Sequence, residues 1–210
     1  MPTLTESIDP STAPAPAPAY ARSLRTLYFV RFVFAAVWVG TMFATAAKAS
    51  GPSAPLTVLL IVYPLFDAGA VLWQLRADPD TGRAKAAEWT NVAVSAGVAV
   101  ALGISSSIAL SGALAVWGVW AIIAGAPQLV AAIRNRRNGG QVAQMLSGGI
   151  SLFAGAGFVL QGVQGSDKIS GVAGYAGLGA LFFLISAVLL SVRLKKRNAY
   201  AASAAPRPTA

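Results

Sequence analysis

Residues 55–75 read PLTVLLIVYPLFDAGAVLWQL, and this stretch decides the class of protein. Crossing the hydrocarbon core of a bilayer as a helix takes about 20 apolar residues, which is the length of this run. Asp67 is the only charged residue in it. An ionised carboxylate at the centre of a bilayer helix costs at least ~2.5–3.5 kcal/mol on insertion scales. A helix that crosses a membrane here must therefore give Asp67 a partner or a function.

The composition of the whole chain also indicates a membrane protein. Of its 210 residues, 56% are hydrophobic and 11% are charged, whereas soluble domains carry roughly 25% charged residues. The chain contains no Cys and no His. This excludes disulfides, thiolate nucleophiles, imidazole acid–base chemistry and zinc sites with the usual ligands. We therefore expect a non-enzymatic protein with no catalytic residues, no metal site and no cofactor.

Six apolar segments are long enough to cross a bilayer as helices. They cover residues 24–47, 55–75, 89–108, 110–133, 145–163 and 169–192. Strands of a membrane barrel would alternate apolar and polar residues with period two, and these runs do not. We predict an all-α membrane domain over residues 23–197. Disordered cytoplasmic tails are expected at 1–22, which is rich in Pro and Ala, and at 198–210.

The basic residues predict how the chain is oriented. Lys and Arg are enriched in cytoplasmic loops. Both ends of the chain and the connections after the second and fourth spans are basic, as in RNRR at 134–137 and RLKKR at 193–197. The basic residues of the other connections are Lys48 and Lys168. Six spans with both termini in the cytoplasm fit this distribution. The net charge of +9 therefore indicates topology and binding of anionic lipid head groups at the basic loops, and not a nucleic-acid partner.

A short repeat divides the six spans into three hairpins, 24–75, 89–133 and 145–192. SAGVAVALG at 95–103 matches SGGISLFAG at 147–155, with small residues at every fourth position of one helix face. Each hairpin begins and ends in the cytoplasm, so the copies are parallel repeats and not inverted ones. Small faces let helices approach closely in lipid. The predicted packing positions are Ala36, Gly40, Ala44, Ser95, Ala99, Gly103, Ser147, Ser151 and Gly155.

With these hairpins and motifs, the sequence resembles the HdeD-like family of bacterial acid-resistance membrane proteins. The resemblance covers roughly residues 24–197 and includes QLVAAIRNRR at 128–137, while the first hairpin matches least. It implies a six-span protein of the bacterial inner membrane with a role in acid or envelope stress tolerance. It brings no catalytic residues with it, and it leaves homo-oligomerisation open.

Arg31 is the first candidate as a partner for Asp67. Asp67 lies roughly 12 Å and Arg31 roughly 7–8 Å from the cytoplasmic ends of their spans, and an Arg side chain covers the difference. Three alternatives stay open. Arg31 extends to the interface, Asp67 is neutral and hydrogen-bonded, or Asp67 handles protons or ions.

The last alternative would make the protein a small transporter or channel. A water-filled cavity that reaches Asp67 would favour transport, and tight packing around a paired Asp67 would favour a structural role. Gln128, which follows Pro127 in the fourth span, is a secondary polar candidate.

Overall fold

The computed structural model describes residues 18–78, 85–134 and 142–204. These ranges form six helices, which are α1 (Pro18–Ala46), α2 (Ala54–Ala77), α3 (Ala86–Ile108), α4 (Leu110–Arg134), α5 (Val142–Val163) and α6 (Ser170–Ala204). Each of them contains a segment long and apolar enough to cross a membrane. The predicted all-α membrane class with six spans is therefore confirmed.

The helices extend further than predicted at both ends of the chain. α1 begins at Pro18 and α6 continues to Ala204, so residues 18–22 and 198–204 are helical where we predicted disordered tails. A proline is tolerated in the first turn of a helix. The Ala-rich segments beside it and at 199–204 have high helix propensity. The rest of both predicted tails lies outside the described residues, as do Arg83, Arg136 and Arg137 of the predicted basic loops.

The six helices contact one another in a closed cycle in which close and loose neighbours alternate. α4 packs most extensively on α5, followed by α1 on α6 and α2 on α3. The two helices within each predicted hairpin contact each other less, and α5 and α6 contact each other least. The tightest contacts therefore join different hairpins. Three parallel hairpins around one axis would give this alternation, and their superposition stays a prediction.

α4 and α5 approach closely because glycines face each other across their interface. A Cβ atom on Gly118 would lie 2.5 Å from the carbonyl oxygen of Gly155, and one on Gly155 would lie 2.7 Å from the carbonyl oxygen of Gly118. Cβ atoms on Gly125, Gly148 and Gly162 would also meet α4 or α5 atoms at 3.0 Å or less. These glycines recur every seventh residue on each helix. In lipid, such backbone contact supplies much of the attraction between helices.

The predicted small face of α3 packs against α2. Ser95 and Ala99 are buried, with 0% and 3% exposure. A Cβ atom on Gly103 would lie 3.1 Å from Cδ1 of Ile61 on α2. The face predicted from SAGVAVALG is therefore an internal one, and it places Ser95 beside α2.

The predicted small face of α1 is wrong. The three residues of this face are all exposed, and they are Ala36, Gly40 and Ala44. Nothing lies within 4 Å of a Cβ atom built on Gly40. α1 instead buries Ala35, Trp38 and Met42. Trp38 and Met42 make far larger contacts with the core than Ala or Gly can, so the helix is rotated to place them inward.

Candidate functional site

Arg31 of α1 and Asp67 of α2 lie together inside the bundle. Arg31 Nη2 is 3.3 Å from Asp67 Oδ1, and the two side chains are 14% and 22% exposed. The hydroxyl of Ser95 on α3 donates to the other carboxylate oxygen, Oδ2, at 3.1 Å. Three helices therefore converge on one carboxylate. The sequence assigned Ser95 only to helix packing.

Aromatic contacts between α1 and α2 set the register that brings these two charges together. Phe34 stacks on Phe66, the residue before Asp67, with ring centroids 3.7 Å apart. One helical turn further along α1, the indole of Trp38 donates to the carbonyl oxygen of Leu59 at 2.8 Å. Pro64 lies in the same part of α2, where its missing N–H leaves the carbonyl oxygen of Leu60 without its usual helical donor. The Trp38 hydrogen bond thus joins α1 to α2 one residue before that break in the helical hydrogen bonds.

The guanidinium of Arg31 is held from a second side by α6. Its Cζ atom lies 5.1 Å from the centroid of the Phe183 ring. A cation over an aromatic face is attracted by the ring quadrupole, and more strongly where water is excluded. The contact therefore fixes Arg31 between α2 and α6.

The ion pair forms part of the wall of a cavity of about 610 Å³ to which all six helices contribute side chains. Ligand sites in proteins are typically about 300–1,000 Å³ in volume. The cavity lies toward the end of the bundle that carries Arg25, Arg76 and Arg193. Its polar side chains include Arg31, Tyr63, Asp67, Asn91, Gln128 and Tyr175. Gln128, predicted as a secondary polar candidate, therefore belongs to the same site as Asp67.

Four aromatic side chains close the cavity on the side away from the basic end. Trp38, Tyr63, Trp117 and Trp120 pack with ring centroids 4.7–6.1 Å apart, and we call them the aromatic floor. Tyr63 and Trp120 also line the cavity. Behind the floor lies an apolar core of fully buried side chains such as Leu60. The polar half of the bundle is thus separated from its opposite end.

Tyr175 of α6 and Ser151 of α5 connect the opposite wall of the cavity. Their hydroxyl oxygens are 2.9 Å apart. Ser151 donates to the carbonyl oxygen of Ser147 at 3.0 Å, which leaves Tyr175 as the donor to Ser151. Ser147 and Ser151, predicted as packing positions, both line the cavity. Tyr175 was not predicted. A lone polar group in an apolar span, the criterion used for Asp67, would have found it.

Two buried polar atoms of cavity residues have no hydrogen-bond partner among the described residues. They are the donor Nε of Arg31 and the acceptor Oδ1 of Asn91. Buried polar groups in proteins are nearly always paired, and each exception calls for an explanation. A bound polar molecule that accepts from Arg31 and donates to Asn91 would satisfy both.

Comparisons of the chain with protein-family models, with curated proteins and with solved structures gave no match. The likeness to the HdeD-like family therefore depends on the sequence motifs alone.

Proposed function

We propose that this protein binds a small molecule with a polar group in the cavity and acts as a small transporter of the bacterial inner membrane. The observation that carries this proposal is a cavity of about 610 Å³ that reaches the Arg31–Asp67 pair. An ion pair with a purely structural role would be expected to lie in tight packing. Here the pair borders a space of ligand size, and a cavity that reaches Asp67 favours transport over a structural role.

The shape of the cavity supports transport over simple storage of a ligand. The polar half of the bundle is on the basic side, and the aromatic floor separates it from the opposite end. A site that is reached from one side and closed on the other is one of the two states that alternating access requires. With both termini in the cytoplasm, this side is the cytoplasmic one.

The proposed function is non-enzymatic because the described residues of the site lack a pair of groups for acid–base chemistry. Asp67 is the one carboxylate among the described residues that line the cavity, and it is engaged by Arg31 and Ser95. The chain has no His or Cys that could act as base or nucleophile. Polar binding and positioning are what the remaining side chains can supply.

Membership of the HdeD-like family, with a role in acid or envelope stress, is a separate proposal that depends on the sequence motifs. Its test is a deletion strain exposed to acid and to envelope stress, complemented by the wild-type chain or by Asp67→Asn. Loss of tolerance that only the wild type restores would connect the stress role to the cavity. Normal growth of the deletion strain under every stress would contradict the stress role.

The cavity itself is tested by cysteine accessibility, since the natural chain has no cysteine. Ser186→Cys lies in the cavity wall, Leu60→Cys lies in the core behind the floor, and Ala36→Cys lies on the outer surface. A charged, water-soluble thiol reagent applied from the cytoplasmic side should modify the cysteine at position 186 and spare the other two. Equal reactivity at 186 and 60 would exclude a water-filled cavity and with it the transport proposal.

A further inference from the structure

We infer that the ligand is an amphiphile with an anionic head group and a single apolar chain, and that it reaches the cavity from the bilayer between α5 and α6. This inference deepens the proposed function and rests on it. Three independent features of the cavity support it. They are the separation of two helices, the division of the wall into polar and apolar parts, and the charge of the lining.

The first feature is the loose packing of α5 on α6, the weakest contact between neighbouring helices. The side-chain contacts between them begin at Ser151 and Tyr175, in the cavity wall, and continue away from the basic end to Phe158 and Gly171. Tyr175 is bonded to Ser151, its ring lies 6.0 Å from that of Phe158, and a Cβ on Gly171 would lie 3.3 Å from Phe158. From Ser151 and Tyr175 toward the basic end, side chains of both helices line the cavity.

Two leucines show that the cavity wall and the outer surface meet at this place. Leu178 and Leu189 of α6 line the cavity, and they are 46% and 52% exposed. Phe182 and Leu190, which line the same part of the wall, are less exposed, so part of the exposed area of Leu178 and Leu189 lies on the outer surface, where a membrane would supply lipid. The space between α5 and α6 is therefore a lateral opening from the cavity to the bilayer.

The second feature is the uneven chemistry of the wall. The α6 side presents mainly apolar side chains, among them Leu178, Phe182, Leu189 and Leu190, whereas Tyr63, Asp67, Asn91 and Gln128 lie on α2, α3 and α4. The lining segment of α6, 178–193, is roughly 22 Å long at 1.5 Å per residue. Half of the hydrocarbon core is about 15 Å thick, so this segment is long enough to hold a lipid chain of one leaflet. A wholly polar solute would leave this side of the wall without a matching partner.

The third feature is the charge of the lining. Its described residues include two cations, Arg31 and Arg193, and one anion, Asp67, so the net charge is +1. Arg193 is exposed at the basic end and precedes Lys195, Lys196 and Arg197. A phosphate, sulfate or carboxylate head group matches this charge, whereas a cationic head group opposes it. Arg193 would meet the head group at the opening, and the Nε of Arg31 offers a further donor inside.

The experiment uses the full chain in nanodiscs of zwitterionic lipid, with a photoreactive fatty acid as the probe. Cross-links should map to 147–151 and 178–193. A single-chain alkyl phosphate should compete for labelling, and a quaternary ammonium of the same chain length should not. Arg193→Gln should weaken competition by the alkyl phosphate roughly tenfold, because one charged contact is lost.

Two matched pairs of variants test the lateral opening. Leu189→Trp and Leu178→Trp place bulk at the opening. Val188→Trp and Leu181→Trp place the same bulk at positions 47% and 51% exposed that do not line the cavity. We expect labelling to fall at least about fivefold in the first pair and to stay unchanged in the second. Size-exclusion profiles identify any variant that fails to fold. If one variant of a pair fails to fold, the labelling of the other variant of that pair decides the test.

The outcomes separate this inference from the proposed function. Equal loss in both pairs would overturn lateral entry, and competition independent of head-group charge would overturn the anionic ligand. If the cysteine at position 186 is reactive but the fatty acid labels nothing in 147–193, the cavity stands and the amphiphile is wrong. If that cysteine is unreactive, the proposed function fails first.

Discussion

Replacing Gly155 by Ala tests the contact on which the packing of α4 and α5 depends. The new Cβ would lie 2.7 Å from the carbonyl oxygen of Gly118 and 3.1 Å from the backbone nitrogen of Ile122. Ordinary contact begins at 3.4 Å, so the helices must separate locally by about 3.4 − 2.7 = 0.7 Å. A gap of this size forfeits roughly a quarter to a half of the dispersion energy of the atoms concerned.

The expected steric cost of Gly155→Ala is about 1–3 kcal/mol, the usual range for overpacking. Ala also favours a helix by up to about 1 kcal/mol relative to Gly, which partly hides the cost. Gly157→Ala removes this ambiguity. It lies on the same helix, has nothing within 4 Å of its added Cβ, and carries the same gain in propensity. The difference between the two variants is therefore the steric cost alone.

The measurement is reversible unfolding of both variants in mixed micelles titrated with SDS, followed by tryptophan fluorescence. Gly155→Ala should be less stable than Gly157→Ala by about 1–3 kcal/mol. Equal stability, or a less stable Gly157→Ala, would show that α4 and α5 do not meet through Gly118 and Gly155. The explanation given for their close packing would then be wrong.

Three further predictions concern the ion pair, the first helix and the topology. In a double-mutant cycle of Arg31→Leu and Asp67→Asn, measured by the same unfolding assay, we expect a coupling of about 0.5–3 kcal/mol, and additive effects would refute a stabilising pair. Ala35→Leu should cost about 1–3 kcal/mol because Ala35 is 1% exposed, whereas Ala36→Leu on the outer surface should be nearly neutral. A reporter fused after α6 should lie in the cytoplasm, and a reporter fused between α1 and α2 should lie on the far side of the membrane. A periplasmic carboxyl terminus would show that the spans are miscounted.

The sequence was sufficient for the parts of the structure that depend on hydropathy and depth. Six apolar runs predicted six helices, since a bilayer span demands a minimum length of apolar residues. The depths of Arg31 and Asp67 along adjacent antiparallel spans indicated that they could meet. Both features depend only on the position of a residue along its helix.

Features that depend on the rotation of a helix about its axis could not be predicted as well. Spacing by four suggested an inward face at Ala36 and Gly40, but Trp38 determines which side of α1 faces the core. The seven-residue spacing of Gly148, Gly155 and Gly162 was a usable signal, and a search for every fourth residue does not detect it. No sequence pattern indicated the cavity, because the cavity depends on the distance between α5 and α6.

The connections opposite the basic end are very short. α1 and α2 are joined by residues 47–53, α3 and α4 by Ala109 alone, and α5 and α6 by 164–169. Ala109 turns the chain with a single extended residue, φ −154° and ψ 139°. The surface at this end of the bundle is therefore little more than the helix ends and two short loops. It offers few loop residues to an antibody, a protease or another soluble protein. At this end of the bundle, a soluble macromolecule could therefore bind only the helix ends and the connections 47–53 and 164–169.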